Sequence, residues 1–117
     1  QTMSYKQAHP DFEKRKAEAD KIRERYNDRI PVICEKSATS KLPDIDKTKY
    51  LVPNDLSAFH FSYIIRKKIK LPNTGSLFFF VNGRTLLKGE TLMGDIYERR
   101  KEADGFLYVT YAEENTT

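Results

Sequence analysis

The run Leu77-Phe78-Phe79-Phe80-Val81 constrains the fold more than any other stretch, because consecutive apolar residues without polar alternation read as a strand buried on both faces. Asn82-Gly83 follows it directly and is a tight-turn signal that reverses the chain toward Arg84 to Leu87. We expect this run at the centre of a sheet, with strands and helices from the rest of the chain around it. The chain of 117 residues suits one domain, large enough to bury a core without disulfides or metals. Hydrophobic residues at 38% and charged ones at 32% describe a soluble globular protein rather than a disordered or membrane-spanning one. The apolar run itself is far too short to cross a bilayer.

The N-terminus holds no apolar signal core, and a lone cysteine makes no internal disulfide, so we expect a reducing, cytoplasmic setting. Gln1-Thr2 ahead of Met3 reads as an appended remnant. A net charge of +4 favours anionic surfaces such as lipid headgroups, acidic peptides, tubulin or nucleic acid, without choosing among them.

Ser4 to His9 predicts a turn or two of helix, interrupted by Pro10. Asp11 is the expected N-cap of a second helix, whose apolar stripe is Phe12, Ala19, Ile22 and Tyr26 among alternating acids and bases. From Ile30 to Lys36 the residues alternate as in a strand. Ile30, Val32 and Cys34 fall on one face, and Pro31, Ile33 and Glu35 on the other. An apolar Ile33 on the second face calls for a covering helix or a binding groove. Cys34 reads as a small core residue, since nothing beside it supplies the base or the electropositive setting a nucleophile needs. Asp44-Ile45-Asp46 is a poor start to a calcium loop, because Lys49 takes a later ligand position and no glycine falls at the turn.

Lys47-Thr48-Lys49-Tyr50-Leu51-Val52-Pro53 reads as a short edge strand closed by a proline. Its lysines and proline either guard the edge against pairing or flank an edge that is used, by a peptide adding itself as another strand. Ser57 caps a third helix reaching about Ile69, with Phe61, Ile64 or Ile65, and Ile69 toward the sheet and Leu56 just upstream. Arg66, Lys67, Lys68 and Lys70 gather at its C-terminal end, where the helix dipole favours cations. Leu71 to Gly75 ends that helix, and a short helix over Thr91 to Tyr97 turns Leu92, Ile96 and Tyr97 inward. Asp104-Gly105 leads into a last strand, Phe106 to Tyr111, and a polar tail.

This order is that of an α+β, ubiquitin-like β-grasp with two additional N-terminal helices: residues 1–29 as the helical extension and 30–117 as the ubiquitin-like domain, forming one unit. Phe12-Glu13-Lys14-Arg15-Lys16, Arg29-Ile30-Pro31-Val32-Ile33-Cys34-Glu35-Lys36, Lys49-Tyr50-Leu51-Val52-Pro53, Ile65-Arg66-Lys67-Lys68-Ile69, Phe78-Phe79-Phe80-Val81-Asn82 and Phe106-Leu107-Tyr108 closely resemble the autophagy ubiquitin-like modifiers, the family of the GABA-receptor-associated protein and the microtubule-associated light chains. The likeness runs from about Tyr5 to Asn115.

The resemblance implies docking of aromatic-x-x-aliphatic motifs from cargo receptors and adaptors along the second strand. Anchors three apart leave opposite faces of an extended peptide, so two pockets are required. By similarity, Glu18, Ile22, Pro31, Ile33, Lys49, Leu51 and Phe106 line the aromatic pocket. Tyr50, Val52, Pro53, Leu56, Phe61 and Ile64 line the aliphatic one, and Arg29, Lys47 and Lys68 steer acidic flanks. The family is also processed by a protease and joined by conjugation enzymes, through a C-terminal glycine, to phosphatidylethanolamine, which implies an autophagosome membrane location when lipidated. The sequence given stops at Asn115-Thr116-Thr117, short of such a glycine. No enzymatic activity, cofactor or metal is implied. From the residues alone, a tubulin-binding cytoskeletal adaptor using the basic N-terminal helices and an RNA-binding domain using Arg66 to Lys70 stay open; by resemblance no nucleic acid is expected.

Overall fold

A computed structural model describes residues 3–71 and 76–113; the expected helix-ending turn at Pro72 to Gly75, Gln1-Thr2 and the end of the polar tail lie outside the described residues. The elements run α1 Tyr5–Ala8, α2 Phe12–Arg25, β1 Arg29–Lys36, β2 Lys49–Pro53, α3 Ala58–Lys68, β3 Phe78–Val81, β4 Thr85–Leu86, α4 Met93–Arg100 and β5 Leu107–Ala112. Local chemistry sets most boundaries as the sequence predicts. The Asp11 carboxylate accepts the N–H groups of Glu13 and Lys14, and the Ser57 hydroxyl accepts that of His60, so both helices start on side-chain caps. Asn82 and Gly83 take positive φ values of 54° and 71°, the backbone of a reversing turn between β3 and β4.

The sheet order is β2-β1-β5-β3-β4, with β1 and β5 parallel and the other neighbours antiparallel. The centre is therefore β5 and not the apolar run around β3, which sits one place from the edge. The reason is a concealed polar group. Tyr108 and Thr110 make β5 look half-solvated in sequence, yet the Tyr108 hydroxyl is bonded internally and Leu107, Val109 and Tyr111 pack on the opposite face.

Both faces of the sheet are covered. Ala58, Phe61 and Ile65 of α3, with Met93, Ile96 and Tyr97 of α4, pack against Val32, Cys34, Val52, Leu107 and Val109. On the other face Tyr5 and Ala19, with half-buried Ile22, cover Ile33, Phe106 and Tyr108. Ile33 is thus fully buried, and a helix covers it. Burial pushes the Cys34 thiol up, consistent with a core role.

Two expected faces differ from those observed. The stripe on α2 is buried at Ala19 and half-buried at Ile22, while Phe12 and Tyr26 are exposed. A polar fastening takes their place. Asp104, 1% exposed, accepts the Phe106 N–H at 3.0 Å, the Tyr108 hydroxyl at 2.6 Å and the Arg15 Nε at 2.9 Å. Burial alone would push this carboxyl up, but the three hydrogen bonds together outweigh it and hold it below the usual carboxylate range. In the short helix, Leu92 takes the N-cap position and stays exposed, and Met93 is buried in its stead; the helix also extends to Arg100.

Candidate functional site: the β2 edge

β2 is an edge strand, and which of its backbone groups are free follows from its register. Opposed residues of an antiparallel ladder alternate between bonded and non-bonded pairs. Pairing runs from Arg29 opposite Pro53 to Ile33 opposite Lys49. The Cys34 N–H donates to the Thr48 carbonyl at 2.8 Å and the Asn54 N–H to the Asp28 carbonyl at 3.0 Å, which fixes the phase. Tyr50 and Val52 therefore direct their backbone groups at β1, and Lys49 and Leu51 turn theirs to the open side. Pro31, opposite Leu51, lacks an N–H on the β5 side, where pairing starts only at Val32 with Leu107, so no ladder bond is lost.

Around this edge the residues expected for the aromatic pocket come together at one place. Ile33, Phe106 and Pro31 are buried, while Leu51, Ile22, Glu18 and Lys49 are partly exposed. The Glu18 carboxylate pairs with the Lys49 ammonium, tying α2 to β2, and its other oxygen accepts the Tyr5 hydroxyl at 3.0 Å. Glu18 thus joins α1, α2 and the sheet edge.

The residues expected for the aliphatic pocket divide by depth. Tyr50, Val52 and Phe61 belong to the core, the Tyr50 and Phe61 rings meeting edge to face at 6.4 Å. Pro53 and Leu56 are half-buried and Ile64 is 40% exposed, so these three offer the reachable surface. The Tyr50 hydroxyl is buried with no hydrogen-bond partner among the described residues.

Of the steering cations, Lys47 places its ammonium 5.3 Å from the Tyr50 ring centroid, and Lys68 is exposed on the last turn of α3. Arg29 does something the sequence does not suggest. Its Nη1 makes a long contact of 3.4 Å with the Leu51 carbonyl, one of the open-side groups a docked strand would use. Also missed was the Arg15, Asp104 and Tyr108 fastening that holds α2, and with it Glu18 and Ile22, against the edge. An acid two residues ahead of an aromatic strand gives it no sequence signature beyond a turn.

Cavities of about 560 and 420 Å³ lie elsewhere, one lined by residues such as Ser4, Gln7, Glu35 and Thr110, the other between β4 and α4. Neither holds a reactive pair. Among the described residues no cluster of His, Cys, Asp and Glu is placed to hold a metal ion, and no helix is long and apolar enough to cross a membrane.

Comparison with known proteins agrees with this architecture. The family model described as autophagy protein Atg8, ubiquitin-like, matches residues 14–117. Autophagy-related protein 8 of Cochliobolus heterostrophus is 56% identical over 112 residues, covering 96% of this chain and 92% of that protein. Autophagy-related protein 8e of Arabidopsis thaliana is 58% identical over 106 residues, covering 91% and 86%. The crystal structure of Trypanosoma brucei ATG8 superposes with a TM-score of 0.89 at 41% identity, covering 100% of this chain and 99% of that one. A ubiquitin-like sheet with two N-terminal helices and a family match across nearly the whole length lead to one conclusion: the chain belongs to the Atg8 family of ubiquitin-like autophagy proteins.

Proposed function

We propose that this Atg8 protein docks short aromatic-x-x-aliphatic motifs of autophagy receptors and adaptors as an added strand on β2. The family comprises ubiquitin-like modifiers rather than enzymes, so its work lies in what it binds and what it is joined to. The observation that carries the proposal is the phase of β2: Lys49 and Leu51 direct backbone donors and acceptors outward, between one apolar surface at Ile22 and Leu51 and another at Pro53, Leu56 and Ile64. A docked strand would displace the Arg29 contact to the Leu51 carbonyl and open the Glu18 to Lys49 pair. Exposed charge pairs contribute about 0.2–1 kcal/mol, against roughly 1.5–3 kcal/mol for each buried anchor, so the anchors supply most of the affinity. Through a C-terminal glycine such a protein would be processed, conjugated to phosphatidylethanolamine and carried from the cytoplasm to autophagosomal membranes.

The chain contains no tryptophan, so a peptide bearing Trp-x-x-Leu and acidic flanks reports its own burial by fluorescence. We expect a Kd on the order of micromolar. Leu51→Ala and Ile64→Ala should each weaken it by about tenfold, as loss of part of one anchor's burial predicts. Unchanged binding in both variants would refute docking at this edge.

A further inference from the structure

α3 has a third surface that neither the core nor the docking edge accounts for. Phe61, Ile65 and Ile69 are buried in the core, and Ile64, 40% exposed, is assigned above to the docking edge. Phe59, Tyr63 and Lys67, each four residues apart, form a separate outward stripe roughly 12 Å long. Phe59 is 66% exposed and Tyr63 51%, on the side of the helix where polar residues are expected. The Lys67 ammonium sits over the Tyr63 ring, 4.7 Å from its centroid, a cation–π contact that places a positive charge at the end of the stripe.

The charge of α3 itself has one sign. α3, Ala-Phe-His-Phe-Ser-Tyr-Ile-Ile-Arg-Lys-Lys, contains no acidic residue, and Lys70 follows it. α2 and α4, by contrast, mix acids with bases along their length. One acid, Glu90, lies near the N-terminal end, lining with Ser57, Phe59 and Gly89 a depression at the foot of the stripe.

The geometry points to this stripe as a contact face for an anionic lipid bilayer, independent of covalent conjugation. A helix flank has its backbone groups already bonded, so it cannot add a strand. What it presents is two aromatic rings ending in the Lys67 ammonium, on a helix whose only charged residues are cations, the pattern of an interfacial surface: rings at headgroup depth, cations against anionic lipid. The proposal does not depend on the docking reading, and a peptide titration separates the two.

The test is flotation of the unconjugated chain with vesicles of phosphatidylcholine alone or with about 30 mol % phosphatidylserine, a content that gives a substantial negative surface potential. Binding should require phosphatidylserine and weaken as salt rises. The double variant Phe59→Ser/Tyr63→Ser keeps every charge, so its bound fraction should fall about tenfold through lost ring burial alone. Its thermal midpoint and its affinity for the Trp-x-x-Leu peptide should stay unchanged. Equal flotation of variant and parent, or no binding of the parent to phosphatidylserine vesicles, overturns the proposal. So does a soluble polyglutamate peptide that binds the parent through Phe59 and Tyr63 while vesicles do not, which would make the face a protein interface.

Discussion

Replacing Asp104 by alanine tests whether the polar fastening beneath the N-terminal helices organises the aromatic side of the docking edge. The carboxylate receives the Phe106 N–H, the Tyr108 hydroxyl and the Arg15 guanidinium while itself 1% exposed. Alanine leaves the first two donors buried without an acceptor. At about 1–3 kcal/mol for each orphaned group, Asp104→Ala should lose roughly 2–6 kcal/mol of a stability of about 5–15 kcal/mol. Arg15 sits at the surface side of the cluster, so Arg15→Ala leaves both inner bonds in place and should cost less. Urea unfolding followed by circular dichroism measures both variants. The acid limb adds a second check. Because the native carboxyl titrates below its unfolded value of about 3.9, its contribution is present above that pH and is lost as pH falls through the native value. Parent and Asp104→Ala curves should therefore converge at low pH. In binding, loosening α2 displaces Glu18 and Ile22, so the variant should discriminate less between Trp-x-x-Leu and Ala-x-x-Leu peptides than the parent does. An unfolding midpoint within error of the parent would show that the network holds nothing, and the account of α2 placement would fail with it.

Two further outcomes are expected. Burial pushes the Glu35 carboxyl up, against the Tyr5 N–H bond and the nearby Lys6 charge, so its ionised form works against folding; its contribution is most favourable below the unfolded value of about 4.3 and declines as pH rises through the raised native one. Glu35→Gln should thus be at least as stable as the parent at pH 7 and show a flatter stability profile above about pH 4 by urea titration. In α4, a Cβ on Gly94 would fall 2.7 Å from the Asn54 carbonyl oxygen and 2.8 Å from Asn54 Cβ, contacts to a turn that adjoins Pro53, so Gly94→Ala should cost about 1–3 kcal/mol and be visible as a lowered thermal midpoint.

Much of this molecule is legible in its residues because local signals and burial agree. Asp11 and Ser57 cap the helices they precede, and Asn82-Gly83 makes the turn its chemistry demands. Alternation correctly separates Lys49 and Leu51 from Tyr50 and Val52, and so sorts the two sides of the edge. The assignment of residues to two pockets came from the family resemblance, since period-two alternation gives facing but not what lies opposite. Sequence reasoning failed where polar groups do the work of apolar ones. Buried Tyr108 and Asp104 give no sign in the sequence that β5 is central, Arg15 replaces the hydrophobic contacts expected of Phe12, and Met93 is buried where Leu92 was expected. The Glu18 to Lys49 pair links residues far apart in sequence, so no window along the chain could show it.

The parallel pairing of β1 with β5 also bears on how the protein is made. Val32 lies opposite Leu107 and Lys36 opposite Tyr111, so β1 waits for β5, the last of the described strands in chain order. Until then a growing polypeptide can pair β1 only with β2 and β3 only with β4, and a two-stranded ribbon is marginal in water. Synthesis should therefore yield a cooperative collapse once β5 is available, with the margin of β1 that faces it unpaired until then.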